Sequence, residues 1–319
     1  MINKSEVLTL CITTKCNIKC SCCIQDYSAT TMTAESVYNI INTIHSLKNI
    51  QRINITGGEP FLEYELIKKI VLFTNKINIK TSIITNASWC LSYKLTNEKI
   101  QFLKNNGLDF IVISYDAYHA QFVEIDKIIT LLDVLKENTI NTKIYSIISD
   151  RYEEITEKLI KKIVNYRNVK IERRWLIPLG YAKEEPITYH SNFLKENDFS
   201  SCYQNIGTIY PDGSFFPCCS AGAHPNLNLG NIFKEPISEI LKKNEKLEYI
   251  NILANEGPIG LLYRLPEHYY RRYKRKKYTS SCHLCYELFN DDFTFRFLKE
   301  RLRKLDVAEQ ILLSAHIRK

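Results

Sequence analysis

The chain has 319 residues, 45% of them apolar, and carries a formal net charge of +8, enough chain and enough apolar matter for a large α/β domain with a smaller one beside it. No apolar run reaches the roughly 18 residues of a membrane span, and the start, Met1-Ile-Asn-Lys-Ser-Glu6, lacks a signal-peptide core. Eleven cysteines without a secretory signal point to a reducing, cytoplasmic setting and to metal rather than disulfides.

Apolar, β-branched runs alternate with helical patterns from Val7 to Leu176. Val7–Ile12, Arg52–Thr56, Thr81–Thr85, Phe110–Tyr115, Thr142–Ser149 and Val169–Leu176 predict six buried strands. Between them lie amphipathic stretches. Ala34–Leu47 sets Val37, Ile40, Ile41 and Ile44 on one face, and Leu66–Asn78, Glu98–Asn106, Phe122–Lys136 and Glu153–Asn165 are similar. After the first pair, strands recur about every thirty residues, the size of a βαβ unit. Six such units predict a parallel sheet curved into a partial (β/α)6 barrel, of the TIM type but incomplete.

The rhythm breaks near Pro186, so residues 1–189 are assigned to the barrel, 190–290 to a second domain and 291–319 to a C-terminal helical segment. Tyr210-Pro-Asp-Gly213 is a turn signal between Gly207–Tyr210 and Ser214–Pro217, which predicts a β-hairpin. Pro236–Leu247 and Ile250–Tyr273 read as helical, with a break at Gly257-Pro258, and Asp292–Ile317 as one or two terminal helices. Much of the positive charge sits between Arg264 and Lys277. Such a run is a solvated face or a docking surface for an acidic segment. No recognition motif accompanies it, so nucleic acid is not the expected partner.

The chemistry begins at Cys16-Asn-Ile-Lys-Cys20-Ser-Cys-Cys23, directly after the first strand. That places three thiols, spaced C-x3-C-x2-C, at the C-terminal ends of the strands, where barrel enzymes build their sites. Four cysteines normally close a cubane iron–sulfur cluster. Cys16, Cys20 and Cys23 alone would leave one iron open for chemistry. The bland alternative is a zinc loop. After the second strand comes Thr56-Gly57-Gly58-Glu59-Pro60. Its glycines let backbone approach a ligand closely, and Glu59 can accept from an ammonium. A second thiol group is Cys202, Cys218, Cys282 and Cys285. Four thiolates suit a closed cluster or zinc.

The cysteine triad and the Gly-Gly-Glu-Pro motif together resemble the radical S-adenosylmethionine (SAM) enzymes over about residues 6 to 182. The resemblance implies that Cys16, Cys20 and Cys23 hold a [4Fe-4S] cluster and that Gly57, Gly58 and Glu59 hold the SAM amino group. It implies further SAM contacts at Asn86, Ser114, Asp116 and Leu179. Cys22 stands where the family usually has an aromatic. The second thiol group resembles the twitch domain, with an auxiliary [4Fe-4S] cluster on Cys202, Cys218, Cys282 and Cys285. In this family a reduced cluster splits SAM into methionine and a 5′-deoxyadenosyl radical, with the electron coming from a flavodoxin- or ferredoxin-like donor.

Ile113-Ser-Tyr-Asp-Ala-Tyr-His-Ala-Gln-Phe-Val123, Phe216-Pro-Cys-Cys-Ser220 and Cys282-His-Leu-Cys-Tyr-Glu-Leu-Phe-Asn290 resemble segments of the epipeptide epimerases. Those enzymes convert L- to D-residues in ribosomally made precursor peptides. By that resemblance Cys219, beside Cys218, is the hydrogen-atom donor; as a residue it is equally a small buried hydrophobe. His119 and Asp116 would then serve SAM, substrate or structure. The rival reactions are thioether or carbon–carbon crosslinking, and the rival of another class is a non-catalytic iron–sulfur or zinc protein. The first barrel strand begins within about six residues of the start, so recognition of a leader is expected to use the barrel, the twitch domain or the stretch 264–277.

Overall fold

A computed structural model describes residues 7–25, 29–45, 50–167, 169–187, 207–218, 224–245, 247–274 and 276–304. The chain divides into two compact units. One is built on Glu6–Thr188 with Thr208–Ser214, the other on Phe215–Lys319.

In the first unit six strands alternate with five helices: β1 (Val7–Thr13), α1 (Ala34–His45), β2 (Arg52–Gly57), α2 (Tyr64–Lys76), β3 (Lys80–Thr85), α3 (Tyr93–Asn105), β4 (Leu108–Ser114), α4 (Ile125–Glu137), β5 (Asn141–Ile148), α5 (Glu153–Arg167) and β6 (Lys170–Trp175). The strands lie in the order β6-β5-β4-β3-β2-β1, and every neighbouring pair is parallel. This is the open, partial (β/α)6 barrel expected from the βα rhythm. Leu8, Leu10, Ile12, Ile53, Ile55, Ile83, Ile111, Ile113 and Ile144 form its buried centre. The helices seal it with single faces, such as Val37, Ile40, Ile41 and Ile44 of α1 and Leu66, Ile67, Ile70 and Val71 of α2. Burying an aliphatic side chain of this kind contributes about 2 kcal/mol.

Three details differ from expectation. α3 starts at Tyr93 rather than Glu98, because Ser92 caps it by accepting from Leu95 N at 3.3 Å. α4 starts at Ile125 rather than Phe122, since His119–Gln121 forms a 3-10 turn first. β6 is not a buried strand. It closes one end of the strand order and exposes Arg173 and Arg174, which pair with Glu157 and Glu172.

The expected hairpin is present as β7 (Gly207–Ile209) and β8 (Ser214–Phe216), with Gly213 at φ +82° in the turn. The second unit holds β9 (Gly230–Asn231), α6 (Ile237–Glu245), α7 (Glu248–Glu256), α8 (Pro258–Leu262), α9 (Glu267–Lys274), α10 (Ser281–Asn290) and α11 (Asp292–Lys304). The stretch expected as Ile250–Tyr273 is three helices. Gly257, at φ +74°, breaks the first, and Pro258 starts the next. Tyr249, Phe289 and Phe295 form an aromatic core with centroids 5.5 to 6.0 Å apart. Among the described residues no helix is long and apolar enough to cross a membrane.

Candidate active site

β1 and β2 run in parallel register, with Thr13 opposite Gly57. The loops that leave them therefore start side by side. Gly58 N donates to Thr13 O and Glu59 N to Lys15 O, each at 2.8 Å. A Cβ on Gly58 would stand 2.1 Å from the Lys15 carbonyl oxygen. Only glycine admits that approach, so the second glycine of the motif seats the start of the cysteine loop. The far end is held too. Tyr181 N donates to Cys23 O at 2.9 Å, and Gly180, at φ +53°, lies against the backbone of Cys23 and Ile24. Leu179 is buried next to this contact. The segment Ile177-Pro-Leu-Gly180 thus meets the cysteine loop itself.

Cys16 and Cys23 are half-buried, and Cys20 is buried. Cys23 N donates to Cys20 O at 3.1 Å, which curls the loop. Burial pushes the Cys16 thiol up to about 11, and the charges of Cys23 and Cys20 add to that rise. A bound metal would reverse it, since coordination removes the thiol proton. Cys22 turns inward. A hydrogen bond between the two thiols holds Cys20 below the usual thiol range and Cys22 above it.

Glu59 is fully buried. It accepts from Phe61 N at 3.0 Å, Thr85 Oγ1 at 2.8 Å and Asn86 N at 2.7 Å. Burial still lifts its carboxyl to about 7 against the lowering effect of those donors. Among the described residues no Lys or Arg forms an ion pair with it. Thr85 was not singled out from the sequence. Its hydroxyl also accepts from Trp89 Nε1 at 2.9 Å, and Trp89 stacks on Phe61 at 3.8 Å, so it anchors the wall behind Glu59. Its place at the end of a strand, beside Asn86, was the available signal.

Ser114 ends β4, half-buried. Asp116 is fully buried and turned inward. Its oxygens accept from Tyr118 N, His119 N and Ile147 N, and one lies 2.9 Å from His119 Nδ1. Burial would lower the imidazole of His119, yet the charge and hydrogen bond of Asp116 raise it to about 9. Cys22 Sγ, an Asp116 oxygen and a His119 nitrogen all lie within 4.8 Å of one another. The cysteine loop and the β4 loop therefore meet through Cys22, a contact that linear spacing does not announce.

In the second unit, Cys282 and Cys285 stand three residues apart at the start of α10, hence on one face of it. Ser280 caps the helix by accepting from His283 N, and the positive end of the helix favours thiolates there. His283 between them is buried, and burial pushes its imidazole down to about 4, so it is neutral. Cys218 follows β8 and belongs to the same unit. Cys202 and Cys219 lie outside the described residues.

Residues 10–163 match the family model of the Radical SAM superfamily, and residues 202–286 that of an iron–sulfur cluster-binding domain. YydG of Bacillus subtilis (strain 168), whose name places it in peptide biosynthesis, is 27% identical over 304 residues, 91% of this chain and 93% of that protein. A GTP 3′,8-cyclase of Clostridium botulinum (strain Langeland) is 28% identical over 246 residues, 65% of this chain and 74% of its own. Among solved structures, native anSMEcpe with bound AdoMet and Cp18Cys peptide superposes with a TM-score of 0.60 at 17% identity, covering 94% of this chain and 99% of that one. BtrN in complex with AdoMet and 2-DOIA gives 0.50 at 18% identity, covering 79% and 87%.

Domains of both kinds bind [4Fe-4S] clusters, which sets aside zinc for the second thiol group. The residues in hand fit such cofactors. The first loop carries Cys16, Cys20 and Cys23 within eight residues, and three thiolates would leave one iron of a cubane open; among the described residues no Lys or Arg pairs with the buried carboxylate of Glu59. The fold and the two matches agree: residues 10–163 resemble a radical SAM core, and residues 202–286 resemble an iron–sulfur cluster-binding domain.

Proposed function

We propose that this protein epimerises L- to D-residues in a ribosomally made precursor peptide. Cys16, Cys20 and Cys23 hold the open cluster. Glu59, with Gly57 and Gly58, takes the SAM amino group. Cys202, Cys218, Cys282 and Cys285 hold the auxiliary cluster. When bound, cluster and SAM together supply a carbon-centred oxidant strong enough to remove a hydrogen atom from Cα. The protein's own part is to place one Cα–H toward that oxidant and to return a hydrogen atom on the opposite face. Cys219 returns it: its S–H bond breaks, a Cα–H bond forms, and one electron and one proton restore the thiol. A flavodoxin- or ferredoxin-like donor supplies the electrons.

The observation that carries this reading is the pair Cys218-Cys219 in Phe216-Pro-Cys-Cys-Ser220. Adjacent residues do not readily ligate one cluster, which reserves a thiol next to the auxiliary cluster. The similarity to YydG along nearly the whole chain supports a peptide substrate. The test is anaerobic incubation with the precursor in D2O, then chiral amino-acid analysis. Epimerisation adds about one mass unit per site and yields a D-residue, whereas crosslinking removes two hydrogens. Cys219→Ala should still form 5′-deoxyadenosine but no D-residue. A D-residue made by that variant would overturn the assignment.

A further inference from the structure

Asn86 leaves the end of β3 and is buried, yet its backbone and side chain do separate things. Its N–H donates to Glu59 Oε2 at 2.7 Å. Its side-chain Oδ1 accepts from Ser88 N at 2.9 Å, which fixes the amide orientation, because an N–H donor must meet the oxygen. The NH2 group is left facing Cys16 Sγ at 3.7 Å. Ser88 is itself tied to the cysteine loop, with its Oγ 2.7 Å from Asn17 Nδ2 and 3.1 Å from Asn17 Oδ1. The loop after β3 therefore grips the cysteine loop at two successive residues, and one of those grips is an N–H donor aimed at a sulfur.

We propose that Asn86 is a positioning residue whose side-chain N–H hydrogen-bonds the Cys16 thiolate on the cluster and raises the cluster's reduction potential. This rests on the ligand assignment above, with Cys16 as a ligand. A reduced cluster carries one more negative charge than an oxidised one. A donor on a ligating sulfur draws off part of that charge and stabilises the reduced form. Asn86 thereby serves the cluster by its side chain and the SAM-binding carboxylate by its backbone. A side-chain substitution separates the two roles, since the backbone bond to Glu59 survives it.

The test is an EPR-monitored redox titration of the anaerobically reconstituted full chain. The electron comes from a chemical titrant such as dithionite. The cluster with the open iron is identified as the one whose signal changes on SAM addition. Asn86→Ala should shift its midpoint to a more negative value. A tenfold fall in the reduced-to-oxidised ratio at a fixed potential corresponds to about 59 mV for one electron. Asn86→Asp keeps an oxygen for Ser88 N, loses the donor and adds charge, so its shift should be larger. Equal midpoints in wild type and both variants, with iron content intact, would overturn the proposal. So would weakened SAM binding at an unchanged midpoint, which assigns Asn86 to SAM instead. Loss of iron from both variants would also overturn it and make Asn86 an assembly residue. A wild-type protein with no SAM-sensitive signal would sink the ligand assignment rather than the role of Asn86.

Discussion

Two cysteines in one octapeptide differ in what they touch: Cys22 lies with Asp116 and His119, outside the C-x3-C-x2-C pattern. Cys20 is held low by the Cys22 thiol, while Cys22 is held high and lies against Asp116 and His119. Cys22→Ala should therefore keep full iron content after reconstitution, whereas Cys16→Ala or Cys20→Ala should lose about four irons; iron and sulfide analysis checks this. Glu59 makes a second residue-scale prediction. Its carboxyl rises from 4.5 to about 7. The stability this contributes is fully present below pH 4.5 and is lost as pH rises through 7, because the folded state binds the extra proton. SAM binding through an ammonium needs the ionised form. Its affinity should therefore weaken by up to about tenfold per unit below pH 7, with proton release on binding. Calorimetry in buffers of different ionisation enthalpy measures both. A flat affinity between pH 6 and 8 would remove Glu59 from SAM recognition.

At the scale of elements, the sequence is most readable where period and chemistry agree. The strands from β1 to β5 are apolar, β-branched runs, and the motifs of β1 and β2 land side by side because parallel pairing puts Thr13 opposite Gly57. β6 was misread because Ile171, Trp175 and Leu176 lend an apolar frame to a strand whose middle is charged. Its place at an end of the sheet leaves that middle to solvent. The start of α3 was missed because Ser92 acts through a side-chain cap and not through apolar spacing. The meeting of Cys22 with Asp116 and His119 is a tertiary event with no local signature. Another such event lies in the second unit. Arg264 is 3% exposed and bonds both oxygens of Glu256, at 2.9 and 3.0 Å, and also Gly260 O at 2.7 Å. Removing the acid strands a buried guanidinium. Glu256→Ala should cost about 3 kcal/mol, read as a lower denaturation midpoint. Glu256→Gln, which keeps an acceptor, should cost less.

Across the whole molecule the excess of positive charge has a local address and a local compensation. Arg271 pairs with Glu267, Arg272 with Asp291 and Lys276 with Glu287. A stretch that reads in sequence as a bare basic run is in the fold a set of ion pairs on α9 and the residues after it. The Arg271 and Arg272 side chains are still 66% and 58% exposed. Exposed pairs of this kind contribute about 0–1 kcal/mol each, and the new glutamates would repel Glu267 and Asp291 by a similar amount, so reversing both arginines is a small cost to the fold and isolates any role in recognition. If an acidic segment of the precursor docks here, it must compete with Glu267 and Asp291 for the guanidinium groups, and its binding must weaken with salt. Arg271→Glu with Arg272→Glu should then weaken precursor binding several-fold and flatten its salt dependence. The thermal midpoint should fall only slightly, and the rate of SAM cleavage without peptide should stay where it is. Unchanged affinity at low ionic strength would show that the pairs serve only this surface, and that leader recognition belongs elsewhere on the chain.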